Sequence, residues 1–154
     1  MPKSPVFVLL VSASRPMRLA VYDLGGNRLE LHESDAPATE SFYPFFKTID
    51  DRYDIARVAY ARGPGSFMGL KLGYVFLQSF AMARRIPFAS VSSFALTRGA
   101  PVQAHGKRWF VLEGGEVSVR AFETPPQAAL LPPEQIDFSI FEAACEPEYL
   151  MPAV

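Results

Sequence analysis

The chain has 154 residues, with 15 Lys and Arg against 16 Asp and Glu, a balance that leaves no basic stripe for a nucleic-acid duplex. That length suits one domain with a real core, and the single Cys145 excludes a framework of internal disulfides. Val6–Val11 is too short for the apolar core of a secretory leader and is followed at once by Arg15 and Arg18, while the weakly charged run Leu72–Ala83 is too short to span a bilayer, so a cytoplasmic, membrane-free protein is expected.

The first element is the strand Val6–Val11, continuously apolar and therefore expected to be buried on both faces. A second strand, Met17–Asp23, turns through Gly25-Gly26-Asn27 into a third, Arg28–His32. After the loop Ser34–Thr39, Phe42, Phe45, Phe46, Ile49 and Tyr53 recur at helical spacing and predict a helix over Glu40–Arg52. Pro44 is expected in its first turn, where a missing N–H costs little. Ile55–Ala61 reads as a strand, and a glycine-rich loop then opens a helix from about Met68 to Arg85. Pro87–Val91 is a short strand, Ser92-Ser93 caps a brief helix to Thr97, and Arg108–Leu112 with Glu116–Phe122 form a hairpin about Gly114-Gly115. The order β-β-β-α-β-α-β-α-β-β predicts an α/β fold with a mixed sheet covered by helices, a single ribonuclease H-like lobe of the actin-like ATPase type. From Thr124 the prolines 125, 126, 132, 133, 147 and 152 break the pattern. Residues 1–123 are thus expected to be the lobe and 124–154 an extended tail, anchored by Phe138, Ile140 and Phe141, with no second lobe.

The loop Gly63-Pro-Gly-Ser-Phe-Met-Gly-Leu-Lys-Leu-Gly73 is the place where nucleotide chemistry would first be sought. Five residues separate Gly63 from Gly69, Lys71 is displaced by one, and Leu72 stands where a magnesium-binding hydroxyl should be, so it is no P-loop. A dinucleotide fingerprint needs a different glycine spacing and an acidic residue about twenty positions on, and Ser90–Arg98 contains none. Ser66 lacks the spacing of a nucleophile elbow, and its histidine partners would have to be the distant His32 or His105. Asp50, Asp51 and Asp54 could hold a cation or be solvated carboxylates at a helix end. The remaining reading is a tight turn whose glycines let a helix approach its neighbours closely.

The helix after the loop is apolar almost all round. Gly69, Gly73, Phe76 and Phe80 share one face of a helical wheel; Leu72, Val75, Ser79 and Met82 lie towards another; Leu70, Leu77 and Ala81 fill a third. A helix on one side of a sheet should keep a broad polar stripe, so either a compact core absorbs these side chains or they meet a partner surface.

The glycine loop, GPGSFMGLKLG, closely resembles the "GPGSFTGLRIG" signature of the TsaB (YeaZ) family, with Met for Thr at 68, Lys for Arg at 71 and Leu for Ile at 72. Glu40-Ser-Phe-Tyr-Pro-Phe-Phe46 stands where the family has a segment like "ERLLPLI", and Ile86-Pro87 with Val91-Ser-Ser-Phe94 resembles "IPLVGVSSL". The likeness runs from about residue 5 to residue 123. The chain departs from the family where the first strand leads into Val11-Ser-Ala-Ser14 instead of a segment carrying Asp, and where a second, smaller lobe would follow. The resemblance implies a non-catalytic scaffold subunit that pairs with a TsaD-like transferase making threonylcarbamoyladenosine in tRNA. A TsaE-like ATPase would join them, ATP and metal would sit on the partner subunits, and tRNA would be met only through the complex. It further implies that the two helices form the interface, with Gly63, Pro64, Gly65, Ser66, Phe67 and Gly69 as the motif loop. Phe42, Phe46 and Ile49 on one helix, and Leu72, Gly73, Val75, Phe76, Ser79 and Met82 on the other, would form or support the contact. In the partner's absence a second copy could take that place. The metal-dependent glycoprotease label once given to the wider family would require a His-x-x-x-His pair, which this sequence lacks. A nucleotide-binding enzyme of the actin-like kinase superfamily and a plain homodimeric structural protein remain the alternatives.

Overall fold

The computed structural model describes residues 2–126 and 130–148. Its central strand β1 (Pro5–Val11) lies between β2 (Met17–Tyr22) and β4 (Asp54–Ala61), antiparallel to the first and parallel to the second. Val6 to Val11 are fully buried on both faces, as their unbroken apolar run predicts. β3 (Arg28–Ser34) extends the meander, and β5 (Phe88–Val91) continues the parallel side. With a last short strand β9 (Glu142–Ala143), these form a six-stranded sheet of order β3-β2-β1-β4-β5-β9.

The alternation of β1 divides the core in two. Val6, Val8 and Leu10 face the helices α1 (Ala38–Arg52) and α2 (Phe67–Arg84), where Phe42, Phe46, Ile49, Leu77 and Ala81 meet them. Phe7, Leu9 and Val11 face the other way. There the cover comes from the short helix α3 (Ser93–Leu96), from Phe110 and from the C-terminal segment, through Leu130 and Ile136.

The expected single sheet is in fact two. β6 (Val102–His105), β7 (Arg108–Glu113) and β8 (Glu116–Ala121) form a separate three-stranded sheet, because the free edge of β5 is taken by β9. β6 and β9 were not expected: one has four residues between Pro101 and Gly106, the other two, too few for a period to appear. Pro44 also lies elsewhere than expected. α1 begins at Ala38 behind Pro37, which puts Pro44 in the second turn. The proline is tolerated because it and Glu40, whose carbonyl loses its helical partner, both face water.

The Pro-rich segment is fastened through its backbone. The phenol of Tyr22 donates to Pro133 O (2.7 Å), Arg28 Nη1 to Pro132 O (2.9 Å), and Ile136 N to Gly26 O (2.9 Å). Phe138 and Phe141 each set their rings 4.9 Å from Phe7, whereas Ile140 stays exposed. Among the described residues no helix is long and apolar enough to cross a membrane.

Candidate functional site

The glycine loop is packed against the turn that follows β1. Ser66 N donates to Ala13 O at 2.7 Å, and Ser12 Oγ donates to the Gly69 carbonyl at 2.7 Å. A Cβ at Gly65 would lie 2.5 Å from the Cβ of Ala13, and one at Gly69 would lie 2.0 Å from the Ser12 oxygen. Gly73, one turn further, faces Ser12 Oγ at 2.4 Å in the same sense. Gly63, with φ of 115°, accepts a hydrogen bond from Ser93 N at 2.8 Å. Pro64 is buried beside it, and Ser66 is the exposed N-cap of α2, its hydroxyl accepting from Gly69 N. Phe67 lies under the ammonium of Lys71, 6.0 Å from its ring centre. The glycines thus bring two backbones into contact. The small residues Ser12-Ala-Ser14 carried the sequence signal for this close approach.

A cavity of about 170 Å³ does open beside the start of α2, bounded by Ser12, Ser14, Arg15, Thr39 and Ser66. No carboxylate lines it; its polar side chains are serine and threonine hydroxyls and the Arg15 guanidinium.

The other catalytic candidates are also accounted for. His32 bonds Glu30 at 2.9 Å, and His105 falls in β6 with its side chain outside the described residues. Burial opposes the charge on Glu30, yet hydrogen bonds from Tyr53, Arg52 and His32 hold its carboxyl below the usual range. Asp50 is clasped by Arg84 (2.9 and 2.5 Å) and Asp51 pairs with Lys47. Among the described residues no three His, Cys, Asp or Glu side chains converge as a metal site.

The α1–α2 pair has an inner and an outer layer. Phe42, Phe46, Ile49 and Gly73 are buried in the chain's own core. Phe76 bridges the helices, its ring centre 5.4 Å from Phe42 and 5.0 Å from Phe46. Leu72 and Phe76 are half-buried, and Ser79 is exposed. Val75, Met82 and Tyr43 project outward, 49%, 74% and 67% exposed. Between the helices run two adjoining hollows of about 420 and 370 Å³, sharing Tyr43, Phe76 and Ser79. Met68, 53% exposed at the head of α2, extends the apolar surface beyond the residues the wheel singled out.

A model of the family described as TsaD, tRNA N6-adenosine threonylcarbamoyltransferase, matches residues 50–151, from the last turn of α1 through β4, the glycine loop, α2, β5 and the second sheet, with β1, β2 and β3 outside the match. The chain belongs to that family. Membership places it in the tRNA threonylcarbamoyladenosine modification system. Solved structures share its fold: YeaZ from Pseudomonas aeruginosa is 20% identical, with a TM-score of 0.59 over 86% of this chain and 69% of that one. A structure described as an uncharacterized protein with similarity to peptidase YEAZ, from the same organism, is 19% identical, with a TM-score of 0.58 over the same shares. No curated protein matches the chain. With the signature loop and that fold, this TsaD-family member is TsaB/YeaZ-like, of the ribonuclease H-like, actin-like ATPase class.

Proposed function

We propose that this TsaD-family chain is a non-catalytic scaffold subunit that docks a TsaD-like transferase on the outer layer of α1 and α2. The observation that carries the reading is the exposure of Val75 and Met82 on α2, a helix with almost no polar stripe, and of Tyr43 on α1 across an apolar groove. Such a surface is costly to leave in water and is typical of an interface. Leu72, Val75, Phe76, Ser79 and Met82 would touch the partner, while Phe42, Phe46, Ile49 and Gly73 hold the two helices in place beneath them. In this reading metal, ATP and the transfer step belong to the partner subunits, and tRNA is met by the assembled complex. A TsaE-like ATPase and a cytoplasmic setting belong to the same reading.

The test is co-purification with the TsaD-like transferase of the same cell, followed by light scattering of the mixture. Met82→Glu and Val75→Glu should each abolish the complex, because an unpaired carboxylate buried at an interface costs roughly 2–5 kcal/mol. Both positions are exposed in the free chain, so the urea midpoint should stay within about 0.5 kcal/mol of the parent. An unchanged complex mass with both variants would refute the face, and tight ATP binding by the isolated chain would refute the scaffold role.

A further inference from the structure

β8 is an open sheet edge of an unguarded kind. All six of its residues, Glu116–Ala121, are exposed, and no other described strand pairs with its outer side. Natural edges are usually short, bulged, or blocked by Pro or Lys. β6, at the opposite side of the same sheet, has four residues and a register shift, and β3 carries Arg28, Glu30, His32 and Glu33. β8 pairs with β7 without a bulge and contains neither Pro nor Lys, and its two charges, Glu116 and Arg120, are of opposite sign, so they do not repel a second copy.

The direction of its free hydrogen-bonding groups follows from the ladder. Phe122 N donates inward to Lys107 O, and inward and outward residues alternate along an antiparallel strand. Val117, Val119 and Ala121 therefore turn their N–H and C=O groups outward. On one face of the sheet Val117 and Val119, 38% and 41% exposed, adjoin Leu112, 36% exposed. On the other face Glu116 stands directly opposite Glu113, a like-charge pair. Arg120 answers Glu113 at 2.9 Å, while the Glu116 side chain makes no ion pair among the described residues.

We infer that β8 pairs antiparallel with β8 of a second copy about a two-fold axis at Ser118. In that register Val117 lies opposite Val119 of the other copy and the outward groups of both form four backbone hydrogen bonds. Glu116 faces the other copy's Arg120 twice, relieving its repulsion from Glu113. Moving the axis to a neighbouring residue loses that charge match. The two apolar patches become one, and two three-stranded sheets join into six strands. The contact is one strand wide, so the dimer is weak and concentration-dependent. It leaves α1 and α2 uncovered and does not depend on the docking reading above.

Sedimentation of the full chain over a concentration series tests this. The parent should dimerise reversibly, and Glu116→Arg should weaken the dimer roughly tenfold or more by setting Arg against Arg120 across the axis. That change puts Arg opposite Glu113 within the chain, so the fold itself is not weakened. The double variant Glu116→Arg/Arg120→Glu should recover the parent affinity. In a Cys145→Ser background, Ser118→Cys should form a covalent dimer on mild oxidation, since facing residues of such a pair bring their Cα atoms to about 4.5 Å, within disulfide range. Gln103→Cys on β6 should form none. A chain that stays monomeric up to about 1 mM, a dimer indifferent to Glu116→Arg, failure of the double variant to recover, or a dimer lost to Met82→Glu instead would each overturn the inference.

Discussion

A methyl group at position 69 would come within 2.0 Å of the Ser12 carbonyl oxygen, a distance no carbon tolerates. The obstacle is backbone, so relief requires moving either α2 or the end of β1. Gly69→Ala should therefore cost about 3 kcal/mol, the upper range for overpacking, measured by urea unfolding. Gly114 gives the contrast: its φ is 57°, but a Cβ there meets nothing within 4 Å. Gly114→Ala should cost only about 1–2 kcal/mol, the conformational penalty of a left-handed residue with a side chain. Equal costs at the two sites would mean that close approach is not what position 69 requires. Ser12 adds a positive reason for the contact, since its hydroxyl takes up the Gly69 carbonyl in the first turn of α2.

Between elements, the paired helices are tied at their C-terminal ends by Asp50 and Arg84. The two-pronged hydrogen bond from Arg84, and its charge, outweigh partial burial and hold the Asp50 carboxyl below its ordinary value of 3.8. A carboxyl depressed by folding stabilises the protein above its unfolded pKa and loses that contribution as the pH falls through the folded one. Asp50→Asn should therefore lower stability by about 0.5–1 kcal/mol near neutrality, the scale of a partly exposed ion pair. The gap between variant and parent should close at a pH below that depressed value, where the carboxyl is protonated in both states. Paired urea titrations at the two pH values check it, and a gap independent of pH would show that the pair is electrostatically idle. Arg84 also lies over the Phe80 ring at 4.9 Å, so this tie forms the polar end of the apolar groove between the helices.

At the scale of the molecule, the sheet has its two long helices on one face, and the second face relies on the short α3, Phe110 and the C-terminal segment. Phe138 and Phe141 flank Phe7 and the Arg57 guanidinium lies over two of the three rings, so the segment completes a core that α3 alone would leave open. Burial pushes the Tyr22 phenol pKa up, which keeps it a neutral donor to Pro133. Phe138→Ala and Phe141→Ala should each lose about 2 kcal/mol, less than a fully buried ring because both keep some exposure. Ile140→Ala, at a position 37% exposed between them, should stay within about 0.5 kcal/mol. If all three behaved alike in urea unfolding, the rings would not be the anchors. The proposed scaffold face on α1–α2 and the proposed β8 contact lie on different sheets, so the two contacts would be separable.

Local chemistry along the chain already implied much of this molecule. The unbroken run Val6–Val11 named a strand buried on both faces, the spacing of Phe42, Phe46 and Ile49 named an apolar helical stripe without saying whether core or partner covers it, and the glycine loop marked a close turn. These are readable because period and steric demand are properties of neighbouring residues. Four outcomes needed the packed chain: the split into two sheets, the closing strand β9, the clasp between Asp50 and Arg84, and the sorting of α2. Its wheel was apolar on every side, so nothing local could separate Gly73 and Leu77, which the sheet buries, from Val75 and Met82, which it leaves in water. Burial is decided by what lies opposite a side chain, and for these residues the opposing surfaces come from β1, more than sixty positions earlier.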